Sequence, residues 1–305
     1  MHLLLGHTDD PCCLNVSQVL QARGLPIRII ANPLAHPSHF SWRLTDGQSA
    51  SGFAWGDEPP LRDDQIAGVF VRGAGWIEPD GWQADDLIYM QSETQAALLA
   101  WLWSLPCPVV NRYSAALWYR SNVSLLSWQP LLRRCGLPAL ETLVTNVESE
   151  ARNFGERLAL EGVTGAVYGP LTSDTRYLVS GEKDWSGLAA LQRCSPVSLS
   201  YPHGPVQPVC VVGAHVVWEG TPSREMAGLT PAVRRFAAAA GLTFMEFALA
   251  STPRGVRVVA VEARPTLMGF SEAARWQIAE RLADQLTAQA SVARKSTAMR
   301  QRSLA

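Results

Sequence analysis

From Val258 to Leu267 the chain reads VVAVEARPTL, an apolar run that ends in Glu262 and, two residues on, Arg264. Side chains two apart on a strand share a face. A carboxylate there can ligate a hard cation such as magnesium; a guanidinium cannot, but it can grip a carboxylate or phosphate. The pair is open to two readings, a nucleotide or substrate site and an ion pair closing a strand end. Glu246, in FMEFALA, offers a second carboxylate. Arg72 and Arg112 end the runs AGVFVR and PVVNR. If these are parallel strands, both arginines reach a crevice where a substrate carboxylate could bind bidentately.

Other chemistry is sparse. Lysine occurs only at Lys183 and Lys295, so a role that needs a lysine has few candidates. His203 and His215 have no Ser, Cys or Asp pattern of any triad type. The six cysteines have no C-x-x-C spacing and read as reduced, packing thiols. The vicinal pair Cys12–Cys13, beside Asp9 and Asp10, is the one cysteine arrangement open to reactivity, and its simpler reading is two small residues at a helix start.

These residues need elements to position them. The first third alternates strand and helix: HLLLG, a helix ending near Gly24 and IRIIA make a β-α-β unit, hence a parallel sheet with its crevice at the strand C-termini. FSWRL and SGFAW read as short edge strands, AGVFVR as a central one and PVVNR as the last. The helix over Asp85–Ser104 carries Tyr89, Thr94, Leu98 and Leu102 on related faces. Trp76, Trp82, Trp101, Trp103, Trp118 and Tyr119 are expected mainly in the core. Asn122–Cys135 is predicted helical and ended by Gly136. ETLVTN leads to Asn146 as an N-cap, with a helix over Val147–Leu160. GAVYGPL and RYLVS follow, then a short helix over Trp185–Arg193. From there the pattern turns antiparallel, through PVSLSY, QPVCVVG and HVVWEG. FMEFALA and VRVVAVEA form a hairpin, and helix Phe270–Ala288 ends the fold, leaving a polar tail.

At 305 residues, 47% hydrophobic and 17% charged with a formal charge of −1, the chain can bury a large core. It has neither the basic stripe of a nucleic-acid binder nor a span that would cross a membrane. MHLLLGHTDD lacks a basic n-region, so a cytoplasmic location is expected.

This order of elements, with AGVFVR, PVVNR, CGLPALETLVTN and AGLTFMEF in place, resembles the ATP-grasp superfamily. Within it the chain resembles the carboxylate-amine ligases that include the ribosomal-protein glutamyl ligase and the microviridin-type peptide ligases. The resemblance runs from about Leu3 to Leu286. It implies an α/β (α+β) protein: a pre-ATP-grasp α/β domain with a parallel sheet over 1–112, a central subdomain over 113–200 and a C-terminal subdomain over 201–290, the last two with antiparallel sheets. A disordered tail is expected over 291–305.

The resemblance also implies ATP and Mg2+ between the two antiparallel sheets, and a carboxylate that attacks the γ-phosphoryl group before an amine captures the acyl phosphate. Carried over residue by residue, Glu262 is the metal-holding glutamate of "LExNP", with Arg264 at its asparagine. Ala248 falls at the usual aspartate, and Glu246 supplies a carboxylate from two residues earlier. Tyr168 stands at the lysine of "vvKP" and Gln207 at an arginine. Metal ligation is therefore assigned to Glu262 and Glu246, catalysis to Arg264 and Arg72, and nucleotide contacts to Lys183, Arg176, Tyr168 and Gln207. Two functions follow: a ligase joining a small carboxylate or peptide substrate to an amine, or a catalytically inactive relative that binds a peptide or a protein partner.

Overall fold

The computed structural model describes residues 1–34, 38–46, 48–55, 59–79, 81–120, 123–163, 165–169 and 177–302. Strands β1 (His2–Leu5) and β2 (Ile27–Ile30) pair in parallel across helix α1 (Pro11–Ala22). That helix starts where the Asp10 carboxylate accepts the N–H groups of Cys12 and Cys13, and Pro11 takes a first-turn position that needs no donor.

A hairpin of β3 (Ser38–Thr45) and β4 (Gln48–Trp55) follows, with β5 (Leu61–Arg62) beside it. The two strands expected to edge the parallel sheet thus form a separate antiparallel sheet. Its turn is made by Asp46 in left-handed conformation (φ 51°), and Phe53 packs on Trp101 with ring centroids 5.1 Å apart.

Strand β6 (Gly68–Val71) is central, as expected: the parallel sheet runs β2-β1-β6-β7, with β7 spanning Val109–Val110. Helix α2 (Ala84–Ser104) lies between β6 and β7 in the chain. Its C-terminal half buries Leu98, Leu99, Trp101 and Leu102, whereas Tyr89, expected on the same face, is 67% exposed. The N-terminal half therefore stands off the body. The tryptophans divide likewise: Trp101 and Trp118 are buried, while Trp76, Trp82, Trp103 and Tyr119 are about half exposed.

After α3 (Ala115–Tyr119) and α4 (Leu125–Cys135), which Gly136 closes at φ 74°, comes β8 (Thr142–Thr145). Asn146 does not cap the next helix, α5 (Glu148–Leu160). No side chain caps that helix; the Thr145 hydroxyl instead braces the turn before it, accepting the Val147 N–H at 3.0 Å while donating to Glu150. Strands β9 (Ala166–Gly169) and β10 (Tyr177–Val179), helix α6 (Glu182–Gln192) and β11 (Val197–Ser200) complete the central sheet, ordered β10-β9-β11-β8 and antiparallel throughout. PVSLSY thus belongs to this sheet and not to the next, because its alternate residues Val197 and Leu199 are needed under α5 and α6.

The C-terminal sheet runs β13-β12-β14-β15, from β12 (Val206–Val212), β13 (His215–Trp218), β14 (Phe244–Thr252) and β15 (Gly255–Glu262). Helices α7 (Arg224–Gly228) and α8 (Thr230–Ala239) lie between β13 and β14 in the chain, and α9 (Glu272–Arg302) follows β15. The backbone of α9 runs through the stretch expected to be a disordered tail, where Ala, Gln, Arg and Met favour helix. One core joins Leu3, Leu5 and Trp101 to Phe236, Phe247 and Val258, so the parallel sheet and the C-terminal sheet share it. A second packs α1 against α9 through Val16, Leu20, Ile278 and Leu282. Among the described residues no helix is long and apolar enough to cross a membrane.

Candidate functional site

Register places the carboxylates. In the β14–β15 ladder Glu246 pairs with Glu262 and Ala248 with Ala260, followed by a bulge that leaves Val259 unpaired. Phe247, Leu249, Val258 and Val261 all enter the core on one face. Glu246, Ala248, Ala260 and Glu262 therefore share the opposite one.

Glu246 is already engaged. The loop after β15 folds back so that Leu267 donates its N–H to Oε2 at 3.0 Å, and the Thr266 N–H also contributes. Burial raises its pKa above the ordinary carboxylate value, against the pull of those two donors and of Arg72.

Arg72 ends β6 at the crevice, as its position in the sequence implies. Its Nε donates to Asp10 at 2.8 Å, with side chains 9% and 21% exposed. Cys12 and Cys13 lie beside this pair with thiol pKa values pushed up to about 12 by burial, so they are inert packing groups at neutral pH. Arg264 turns to the same region. It donates through Nη2 to the Trp118 carbonyl at 2.9 Å and lies 5.2 Å from the Tyr113 ring centroid. Arg72 and Arg264 both act electrostatically on the buried Tyr113 hydroxyl. Arg112, in contrast, turns away from the crevice and donates to the carbonyls of Leu102, Trp103, Leu105 and Cys107, closing the C-terminal end of α2.

A cavity lies between the central sheet and β15, lined by Thr142, Val167, Ser198, Ser200 and His203 on one side and by Val259 on the other. Tyr168 does not face it. Tyr168 pairs with Leu199 and packs with it toward α5 and α6, stacking on Tyr177 at 5.8 Å. The residue opposite Ser198, and so on the cavity face, is Gly169. Tyr168, expected at the lysine position, thus does not reach the cavity, and Gly169 adds no side chain to it. Gln207 is also turned away: it shares a face with Val209 and Val211, which enter the core, and donates through Nε2 to the Glu219 carbonyl. Lys183 is exposed in the first turn of α6 and is not among the described residues that line this cavity. Arg176 lies outside the described residues.

The structure thus brings Arg72, Glu246, Glu262 and Arg264 together at the end of β15, without Tyr168, Gln207 or Lys183. Sequence reasoning missed Asp10, Tyr113 and Trp118, which partner the arginines. It also missed Asn111, whose buried amide accepts the Thr243 and Phe244 N–H groups and donates to the Phe244 carbonyl, tying β7 to β14. PVVNR ends in two polar residues, and its asparagine carries no charge to mark it in the sequence.

At the far end Arg254, in the β14–β15 turn, reaches across to the central sheet. It pairs with Glu141 at 2.6 Å and with Glu161, and lies 4.9 Å over the Tyr201 ring. Glu141 precedes β8 and Tyr201 follows β11, so this one side chain touches both strands of chain that connect the central sheet to the rest.

Magnesium bound with a nucleotide takes one or two carboxylates plus phosphate oxygens. Among the described residues no three His, Cys, Asp or Glu side chains gather into a metal cage. With Glu246 held by backbone N–H groups, a magnesium ion here would have to be carried largely on nucleotide phosphates, with Glu262 the other carboxylate of the ladder pair. The cavity measures about 60 Å³, well below the roughly 300–1,000 Å³ of an ordinary ligand pocket, so the central sheet and β15 would have to part to admit a base.

No protein-family model and no curated protein matches the chain. Solved structures match it along nearly its whole length. The ATP-grasp ligase PsnB, complexed with a phosphomimetic variant of its minimal precursor, Mg and ADP, superposes with a TM-score of 0.72 at 20% identity, over 95% of this chain and 98% of that one. The macrocyclase MdnC bound with precursor peptide MdnA, from Microcystis aeruginosa, gives 0.71 at 16% identity, over 93% and 98%. A Chryseobacterium gregarium RiPP-associated ATP-grasp ligase, in complex with ADP and a leader and core peptide, gives 0.70 at 16% identity, over 94% and 96%. The chain has the ATP-grasp fold.

Proposed function

We propose that this chain with the ATP-grasp fold is an ATP- and magnesium-dependent carboxylate-amine ligase whose substrate is a peptide. The observation that carries the reading is the convergence of Arg72 and Arg264 at the end of the strand that presents Glu262. A carboxylate about to be activated needs its charge neutralised and its position fixed, and two guanidiniums at the end of the strand that carries Glu262 would serve both needs. Bound magnesium-ATP would supply the phosphoryl group that activates the carboxylate, with Glu262 holding the metal and, once the cavity of about 60 Å³ has widened, Thr142, Ser198 and Ser200 bordering the nucleotide. Burial of Arg72 against Asp10 keeps that guanidinium fixed before any substrate arrives. A peptide substrate is supported by the precursor, leader and core peptides bound in the ligases of like fold.

Calorimetric titration with magnesium-ATP tests this, comparing the wild-type chain with Glu262→Ala. The reading expects a saturable heat for the wild type, weakened on the order of tenfold or more in the variant, as loss of a metal-held carboxylate requires. A wild-type chain with neither heat nor thermal stabilisation at millimolar nucleotide would sink it.

A specific observation favours a second reading, a catalytically inactive relative that binds a peptide or protein partner. The cleft face has Gly169, Ala248 and Ala260 where charge or metal ligands would be useful, and Glu246 is committed to Leu267. Precursor-type peptide that binds with magnesium-ATP silent would select this reading.

A further inference from the structure

Between Gly73 and Asn111 the chain has no lysine, arginine or histidine, and it has the acids Glu78, Asp80, Asp85, Asp86 and Glu93, although the formal charge of the whole is only −1. Helix α2 takes up most of this stretch. A surface helix ordinarily turns its apolar residues inward. The first half of α2 does not: Asp85, Ile88, Tyr89, Ser92 and Ala96, spaced along one face, are all exposed, Ile88 to 65% and Tyr89 to 67%. Leu87, Met90 and Thr94 take the half-buried side.

Charge surrounds the exposed pair. Side chains three and four residues apart are neighbours on a helix, so Tyr89 has Asp85 and Asp86 before it and Glu93 after it. None of these carboxylates forms an ion pair with a described residue. The helix dipole favours the acids of the first turn, Asp85 and Asp86, but its effect has faded by Glu93. The loop that leads into the helix repeats the pattern. Trp76, half-exposed, is fixed by two hydrogen bonds with the Asn32 amide at 2.8 and 2.9 Å, and its indole N–H donates to Glu78 at 2.9 Å. Trp82, just before the helix, is half-exposed as well. An aromatic ring held beside a carboxylate is an arrangement that takes a cationic side chain, through the ring face and the charge together.

We propose that the outward face of the first half of α2, centred on Ile88 and Tyr89 and preceded by Trp82, is a docking surface for a partner polypeptide, in a segment where lysine or arginine alternates with apolar residues. Single apolar side chains on a surface are ordinary; an aliphatic and aromatic pair ringed by carboxylates is an anchor with a charged rim. Burial against the partner's apolar side chains takes the pair out of water. The partner's cations answer the carboxylates, which sets its orientation and turns away acidic segments. A second copy of this chain does not fit, because a two-fold contact through this face sets the same carboxylates against one another, with no cation between Gly73 and Asn111 to part them. From Asp85 to Glu93 the face is about 12 Å long, room for about two turns of a partner helix. It lies on α2 and not on the strand that carries Glu262, so docking needs neither nucleotide nor metal and goes beyond the ligase reading.

The test uses the full chain without nucleotide or magnesium. Two fluorescein-labelled peptides about four helical turns long are titrated by anisotropy, one of leucine and lysine at amphipathic spacing and one with glutamate for every lysine, and hydrogen exchange maps the contact. The lysine peptide should bind saturably and slow exchange across 82–93; the glutamate peptide should not bind. Tyr89→Ser should weaken the lysine peptide by ~10-fold, as loss of an aromatic anchor predicts. Asp85→Asn, Asp86→Asn and Glu93→Gln together should weaken it several-fold at low salt and remove most of its salt dependence. Trp276→Ser, at another exposed aromatic on α9, should change nothing. All these side chains are exposed, so the variants keep the fold. Equal binding of the two peptides, a Tyr89→Ser chain that binds like the wild type, or protection away from 82–93 would overturn the proposal. So would self-association that Tyr89→Ser abolishes, since the face would then be a contact between copies. With no nucleotide present, the result is independent of whether the chain binds magnesium-ATP.

Discussion

The Glu246 carboxylate accepts the backbone N–H of Leu267 at 3.0 Å, and Leu267 holds φ at 58°, in left-handed space that a leucine rarely enters. The side chain of Leu267 is buried, so the turn is fixed from both sides. Glu246 thus secures the loop that leads from β15 to α9, whatever it does for a ligand.

Its raised pKa gives this a pH signature. The folded value exceeds the unfolded one, so the folded state binds the proton more tightly, and stability is greatest below the ordinary glutamate range and falls as pH rises through the folded pKa. Glu246→Gln keeps an acceptor for Leu267 and cannot ionise. It should flatten the fall in Tm between mildly acidic and neutral pH, whereas Glu246→Ala, which orphans the backbone donors, should cost about 1–3 kcal/mol. A wild-type Tm that rises steadily with pH, with Glu246→Gln showing the same slope, would contradict this account.

Asp10 serves two neighbours at once, the first turn of α1 and Arg72. Asparagine is as good a helix cap as aspartate, so Asp10→Asn isolates the charge. It should destabilise by about 3–5 kcal/mol, since the buried Arg72 loses its counter-ion while Nη1 is already unpartnered. Asp10→Ala should cost about 1 kcal/mol more through the lost cap. Urea denaturation of the two variants measures both terms, and equal losses would show that the cap is not made.

How much of this was legible in the sequence follows from what each signal depends on. Apolar periodicity and helix stops found nearly every element, because they are local. Sheet membership was harder: PVSLSY carries the same alternation whether it pairs with β9 or with β12, and only packing under α5 and α6 decides. In the site, Glu262 and Arg264 stood out as charges at an apolar strand end. Tyr113 and Trp118 did not, since a buried aromatic that orients an arginine looks like core. Tyr168 faces α5 and α6 and not the cavity, and one residue along a strand is enough to exchange the two faces completely.

Arg254 yields a prediction about motion. Its carboxylate partners are about a third exposed, so the cluster is open to screening. Arg254→Gln should speed amide exchange in the connecting stretch 201–206 and at Glu141, and about 0.5 M salt, which shortens the Debye length to a few ångströms, should have the same effect on the wild-type chain. Identical exchange in both, at low and high salt, would reduce the cluster to decoration.

The one-residue difference between Tyr168 and Gly169 gives the most direct test of the cleft. Gly169 pairs with Ser198 and shares its face, toward the cavity; Tyr168 pairs with Leu199, toward α5 and α6. If a nucleotide enters that cavity, Gly169→Lys adds an ammonium where phosphate charge lies unneutralised. Affinity for magnesium-ATP should then rise on the order of tenfold, the worth of one charge-assisted hydrogen bond. Tyr168→Lys should give no gain and should destabilise the chain, since it directs a charge against Leu199 and the helices behind it and breaks the stack on Tyr177. Calorimetry and Tm on the two variants separate these outcomes. A gain from Tyr168→Lys, or none from a folded Gly169→Lys that still binds nucleotide, would show that the phosphates lie elsewhere.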